Sequence, residues 1–243
     1  MRVAVLSDIH ANLAALDAVL ASVGTVDAVW HLGDVVGYGA QPNEVVERLD
    51  AAGAIGVRGN HDAAAIGGAE IELFNPDART ALEWTREAIS ERTLGWLAAL
   101  PERLVTEDIL LVHGSPRAPI WEYVTGPVPA RAGIDALSRL GASICLHGHT
   151  HVPVVFADAG GLVDALEPDD GWTYRYAGHP ALLNPGSVGQ PRDGDPRASY
   201  CLLDTDRAEA TWHRVAYDIA STQARMAAVG MPTFLIRRLE VGV

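Results

Sequence analysis

Lysine is absent: all 18 cationic side chains are arginine. That excludes Schiff-base lysine chemistry and the phosphate-gripping lysine of a P-loop. Cysteine is scarce as well. Cys145 and Cys201 sit in the apolar runs "ASICLHG" and "ASYCLLD", and no CxxC pair exists. Both read as small buried hydrophobes, and a thiolate zinc site has no ligands to build on. No apolar run approaches the roughly 20 residues that cross a bilayer. The start, "MRVAVLSDIH", lacks the length and cleavage pattern of a secretory signal. A soluble, cytoplasmic protein is expected. Positive charge is in deficit, with a net of -13. Long nucleic acids and anionic membranes are therefore poor partners, although a small anion held by a local positive centre stays open.

What is present is ample apolar residue, 49% of 243 residues, enough for one large core. The first part alternates strand and helix. "RVAVLS", "VDAVWHL" and "AIGVRG" read as short buried strands. Leu13, Leu16, Leu20 and Val23 recur at helical spacing between Asn12, an N-cap candidate, and Gly24, a stop. "PNEVVERLDAAG" is a helix opened by Pro42. "DILLVHG" and "ASICLHG" are further strands around the helix "AGIDALSRLG". Pro76 to Leu100 reads as two helices, broken near Arg92–Gly95, that cover the core or cap a site. After His151 the chain turns to short strands between Gly, Pro and Asp turns, which predicts a second, more antiparallel sheet. From Asp218 it returns to helix. The fold class expected is α/β: a two-sheet sandwich flanked by helices, a single domain over 1–243.

The chemistry sits where strands end. After "RVAVLS" comes Asp8-Ile9-His10, and after "VDAVWHL" comes Gly33-Asp34. "AIGVR" runs into Gly59-Asn60-His61-Asp62, "DILLV" into His113-Gly114, and "ASICL" into His147-Gly148-His149. Strand ends of α/β sheets share one rim, where ligands bind. Two Asp, one Asn and several His suit Mn, Fe, Zn or related divalent ions. So many ligands over-supply one ion and suit two, about 3.5–4 Å apart, the usual clamp for phosphoryl chemistry.

These motifs, in this order, resemble the calcineurin-like metallophosphoesterases over roughly residues 2 to 190. "LGDVVGYG", "VHGSPR" and "NPGSVGQPR" resemble the bacterial phosphodiesterase-like branch. One departure is Ala11, where the family has Gly; it removes no ligand. The resemblance implies that Asp8, His10 and His149 hold a first metal, Asn60, His113 and His147 a second, and that Asp34 bridges them. Manganese is the first choice, with Fe, Zn, Ni or Co as alternatives. It further implies hydrolysis of small phosphate esters, phosphodiesters preferred, by in-line attack of a hydroxide between the ions. His61 would protonate the leaving group as imidazolium, and Asp62 would orient His61 or raise its pKa. A phosphomonoesterase, a nucleotide or dinucleoside polyphosphate hydrolase, and a non-catalytic scaffold of the same fold are the rival readings.

Each residue also has a plain reading. Asp8 alone could simply open a helix, Asn60 form a turn, and His113 or His147 sit satisfied in the core. His31 reads as a buried structural histidine, and His179 and His213 as ordinary. His151 is a substrate-side candidate. Arg58 and Arg117 are candidates for substrate phosphate, with surface ion pairs as the alternative. Tyr38, Trp121 and Tyr123 are candidates for a stacking wall, with core packing the simpler role for Trp121. "NPGSVGQP" from Asn184 forms either a backbone-rich loop beside the metals or a tight turn. Oligomeric state is not readable from these motifs.

Overall fold

The computed structural model describes residues 1–243. Each expected strand forms, and apolar alternation sorts its residues to two faces. In β1 (Arg2–Leu6), Val3 and Val5 face one way and Ala4 and Leu6 the other. β2 (Ala28–His31) and β3 (Ile55–Gly56) continue a parallel set beside it. The order in this sheet is β3-β2-β1-β11-β12-β9, where β9 is Thr173–Arg175, β11 Ala198–Asp204 and β12 Glu209–Val215.

The second sheet has the order β4-β5-β6-β10-β7-β8. Here β4 is Arg103–Thr106, β5 Ile109–Val112, β6 Ile144–Leu146, β7 Val154–Ala159, β8 Leu162–Leu166 and β10 Ala181–Asn184. The expected division into a parallel first sheet and an antiparallel second one does not hold. β11 pairs antiparallel with β1, and β10 pairs parallel with β6. Each half of the chain therefore contributes to both sheets, and both sheets are mixed.

Three apolar cores follow. Val5, Trp30, Leu111, Leu146, Leu183 and Trp212 belong to the core between the sheets. The outer face of the first sheet, with Ala4 and Leu6, packs on α1 (Leu13–Ser22), α2 (Pro42–Ala51) and the later helices. The outer face of the second, with Leu110, Cys145 and Leu182, packs on α6 (Pro127–Leu137). Cys145 and Cys201 are free and buried, and burial raises both thiol pKa values.

Local signals behave as chemistry dictates. The Asn12 side chain caps α1 by accepting from Ala15 N at 3.2 Å. α4 (Pro76–Ala88) and α5 (Glu91–Ala99) break at Ile89–Ser90, not within 92–95. The break comes early because the Ser90 hydroxyl caps α5 at Thr93 N, while Gly95 is carried inside the helix. Ala81, Leu82 and Leu97 bury these helices in the outer core as a cover, and only Leu73–Asn75 ahead of them reaches the site described below. The short α3 (Asn60–Ala65) starts on the candidate ligand Asn60 itself. α7 (Ile219–Ala228) packs on α1, and α8 (Thr233–Arg237) packs on α7. No helix is long and apolar enough to cross a membrane.

Candidate metal centre

The ends of β1 and β2 do not diverge after their last strand residues. Asp8 N donates to Gly33 O, His10 N to Asp34 O and Ala11 N to Val35 O, at 2.9–3.1 Å. This ladder of loops stacks Asp8, His10 and Asp34 side by side. The cost lies in the backbone. Asp8, His10, Asp34, His149 and His151 all adopt left-handed φ values of 49–69°. L-residues visit that region rarely, and five strained residues in one cluster are held only by the surrounding structure. Ala11 shares the strain at φ 51° and removes no ligand. Two glycines permit the closure. A Cβ on Gly59 would collide with Asp34 Oδ1, and one on Gly148 would collide with Ser7 Oγ and come within 2.7 Å of Asp8 Oδ2.

The side chains form two groups that share Asp34. Asp8, His10, Asp34 and His151 make the first; Asp34, His113 and His149 make the second. The Asn60 side-chain oxygen joins the second, 3.0 Å from His113 Nε2. Each carboxylate has one oxygen engaged and one turned inward. Asp8 Oδ2 accepts from Ser7 Oγ and His149 N, while Oδ1 has no hydrogen-bond donor. Asp34 Oδ1 accepts from His61 N, and Oδ2 lies 3.3 Å from His113 Nε2 and 3.7 Å from His10 Nε2.

The hydrogen bonds set the imidazole tautomers. Nδ1 of His10, His113 and His151 faces the carbonyl oxygens of Val36, Leu32 and Gln190 at 3.2, 2.8 and 2.6 Å. A carbonyl only accepts, so each Nδ1 must carry the proton, and in the neutral ring each Nε2 presents a lone pair. The inward nitrogens crowd together: His10 Nε2 and His151 Nε2 are 3.2 Å apart, and His113 Nε2 is 3.0 Å from His149 Nδ1. Two buried carboxylates and four inward imidazoles have no arginine within ion-pair range. Such a set repels itself unless cations sit among the donors. The oxygen and nitrogen donors therefore fit divalent metal ions.

Titration follows the same geometry. Burial first, then Asp34, raises Asp8 to about 6. Burial also opposes charge on Asp34, but attraction to His113 prevails and holds it far below the usual carboxylate range. Burial opposes charge on His113 too, yet attraction to Asp34 wins and lifts it to about 9. Burial drives His10 and His151 well below 6.5 and His149 to about 2, which keeps three of the four rings neutral and ready to bind metal.

Several placements differ from expectation. His149 stands with His113, not with Asp8 and His10, and His151 takes the place beside Asp8, 3.3 Å from Oδ1. His147 belongs to neither group. Its backbone N still pairs with Leu183 O, so strand alternation carries its ring outward, on the side of Cys145 and Phe156. His61 lines the cleft above the centre, and burial lowers its pKa to about 4. Asp62 does not touch that ring. Its oxygens accept from the backbone N of Val35, Val36 and Gly59, fixing the two ligand-bearing loops together. Arg117 pairs with Glu122 on the surface, and Arg58 does not line the cleft. Tyr38 and Tyr123 do line it, and so does Trp121, which is 41% exposed and not a core residue.

Other neighbours were not singled out from the motifs. Arg192, in the quoted "NPGSVGQPR", lies 5.7 Å over the Tyr38 ring, donates to the neutral Gln190 side chain at 2.8 Å and has no carboxylate partner. Gln190 holds His151, and Phe74 contacts His61 edge-on. The loop from Asn184 buttresses the centre through Ser187 Oγ to Asp8 O and Asn184 Nδ2 to Gly148 O. His31 is buried and stacked on Trp96, as a structural histidine should be.

Two mixed sheets bring oxygen and imidazole donors to one buried rim, a site suited to divalent metal. Residues 1–208 match the family model of the calcineurin-like phosphoesterase superfamily domain. The chain belongs to that superfamily. It is 36% identical to an uncharacterized protein of Methanocaldococcus jannaschii, MJ0912, over 99% of this chain and 98% of that one. It superposes on a metallophosphoesterase from Sphaerobacter thermophilus with a TM-score of 0.89 and 44% identity, covering 100% of both chains. The hypothetical protein PH1004 from Pyrococcus horikoshii shares the fold at a TM-score of 0.80 and 21% identity, over 100% of this chain and 98% of that one.

Proposed function

We propose that the chain hydrolyses small phosphate esters, phosphodiesters by preference, at a centre of two divalent cations, manganese first among them. The observation that carries this reading is Asp34 Oδ2, which faces His10 of one donor group and His113 of the other. Bound divalent ions would supply Lewis acidity toward the phosphoryl oxygens and lower the pKa of coordinated water. Asp8, His10 and His151 with Asp34 would hold one ion; Asn60, His113 and His149 with Asp34 would hold the other.

Two dications outweigh two carboxylates, so the filled centre keeps a positive charge. That draws an anionic ester to an acidic protein, and a diester carries the smaller charge to be balanced. His61 stands over the centre as the proton donor to the leaving oxygen. Neutral in the free protein, it needs the negative charge of the bound ester to become protonated. Asp62 acts through the loops, keeping Asn60 and Asp34 in register. Arg192 adds a positive group beside Tyr38, and that observation favours a second reading, hydrolysis of monoesters or nucleotides with additional anionic charge.

The test is chelator-treated protein reloaded separately with Mn, Fe, Zn, Ni and Co. Each sample is assayed on bis(p-nitrophenyl) phosphate, p-nitrophenyl phosphate, nucleotides and dinucleoside polyphosphates. The diester should turn over fastest with Mn. Turnover of monoesters alone would refute the diester preference, and inertness toward every phosphorylated compound would refute the enzymatic reading.

A further inference from the structure

A cleft about 460 Å³ in volume opens onto the centre. Asn60 and His149 form its floor, and no acidic or basic side chain other than the histidines lines it. Its walls are mostly aromatic and apolar, Tyr38, His61, Leu73, Phe74, Trp121 and Tyr123, with the polar Asn75 among them. The rings form a chain of contacts. Tyr38 lies 4.4 Å from His61, His61 4.9 Å from Phe74, and Phe74 5.8 Å from Trp121. On the opposite side Tyr123 stacks on His149 at 3.6 Å. Leu73 is 65%, Trp121 41% and Tyr123 50% exposed at the rim.

Three large apolar side chains exposed around one opening above a polar floor need a reason, because water-facing apolar clusters of this kind mark ligand sites. A simple phosphate or an aliphatic ester would leave these walls wet. A planar ring would cover them and would align its phosphoryl group with the floor. We propose that the cleft receives an aryl or heterocyclic ring carried on one arm of the substrate, so that ring-bearing phosphate esters, nucleoside esters among them, are selected over aliphatic ones. This rests on the phosphoesterase reading for the phosphoryl half of the substrate. The ring half rests on the cleft alone. The volume lies within the range of small-molecule sites and suits one such ring system with its linker. Trp121 is the residue that discriminates, because it stands at the mouth and contacts only Phe74 among the rings.

The experiment compares phenylphosphonate with methylphosphonate, which share a head group and cannot be hydrolysed, by calorimetric titration of the Mn-loaded full chain. Phenylphosphonate should bind about tenfold more tightly, the worth of one stacked ring. Trp121→Ala should erase most of that preference while keeping the wild-type melting temperature, since the side chain is exposed. Equal affinities in the wild type, or a preference that survives in Trp121→Ala, overturn the proposal. A protein that binds neither phosphonate counts against the phosphoesterase reading. The cleft is then judged by itself with adenosine, which has no phosphate, added to metal-free protein. Quenching of tryptophan emission that disappears in Trp121→Ala supports the cleft, and absence of quenching overturns it.

Discussion

Metal binding should be visible as stability, and the two histidines that trade places in "HGHTH" should separate in that assay. The folded chain offers two donor groups that the unfolded chain lacks, so each filled site stabilises by mass action. At a free metal concentration 100 times the dissociation constant this is about 2.7 kcal/mol per site. For a chain of 150–250 residues, 1 kcal/mol moves the melting temperature by about 2–4 °C. Each site is therefore worth about 5–10 °C, and the pair about 10–20 °C. His151→Ala removes Nε2 beside Asp8 Oδ1 and should lose about half of the metal-induced rise. His147→Ala removes a buried ring outside both groups. It should lower the melting temperature of the metal-free protein by leaving a cavity, yet keep the full metal-induced rise. Differential scanning calorimetry of chelator-treated protein, with and without Mn, reads all three. An equal loss of the rise in both variants, or no rise in the wild type, would refute the assignment.

Three further outcomes follow from named contacts. His61→Asn should reduce turnover roughly 100- to 10,000-fold while metal content stays at the wild-type level, because the ring lies outside both donor groups; elemental analysis beside steady-state kinetics checks this. Gly148→Ala should cost about 1–3 kcal/mol and abolish the metal-induced rise in melting temperature, since its methyl group would press on Ser7 Oγ and Asp8 Oδ2. Burial lowers His31 to about 4, so the unfolded chain binds more protons between pH 6.5 and 4. The stability that neutral His31 contributes is present above pH 6.5 and is lost as pH falls through that window, by about 3 kcal/mol. His31→Phe should flatten this part of the pH–stability curve of metal-free protein, and denaturant titrations showing parallel curves for wild type and variant would contradict it.

The fold class was legible because each buried strand is a short apolar run ended by glycine or a polar cluster. Sheet membership was not. Nothing local in "ASYCLLD" says that β11 lies against β1, because that pairing is a long-range choice made by the two packed cores. At the centre, residue types and their strand-end positions announced the donors. Their division between two groups depends on backbone geometry that motifs do not encode. Left-handed φ values at His149 and His151 turn both rings inward, whereas His147 is still in the ladder. One signal was available: His147 stands two residues after Cys145 in a strand, so alternation puts the two on one face, away from Leu146. Arg58 and Arg117 were singled out by adjacency in sequence, which says little about a long side chain. Arg117 found Glu122, while Arg192, two residues beyond Gln190, came to lie beside the centre through the fold.

The shared carboxylate oxygen of Asp34 is the feature on which the proposed chemistry turns. Crystals of the full chain soaked in Mn and measured at its absorption edge would locate the ions. Two anomalous peaks should appear about 3.5–4 Å apart, one among Asp8, His10 and His151, the other among Asn60, His113 and His149, with Asp34 between them. A single peak, or a peak at His147 with none beside His151, would contradict the assignment.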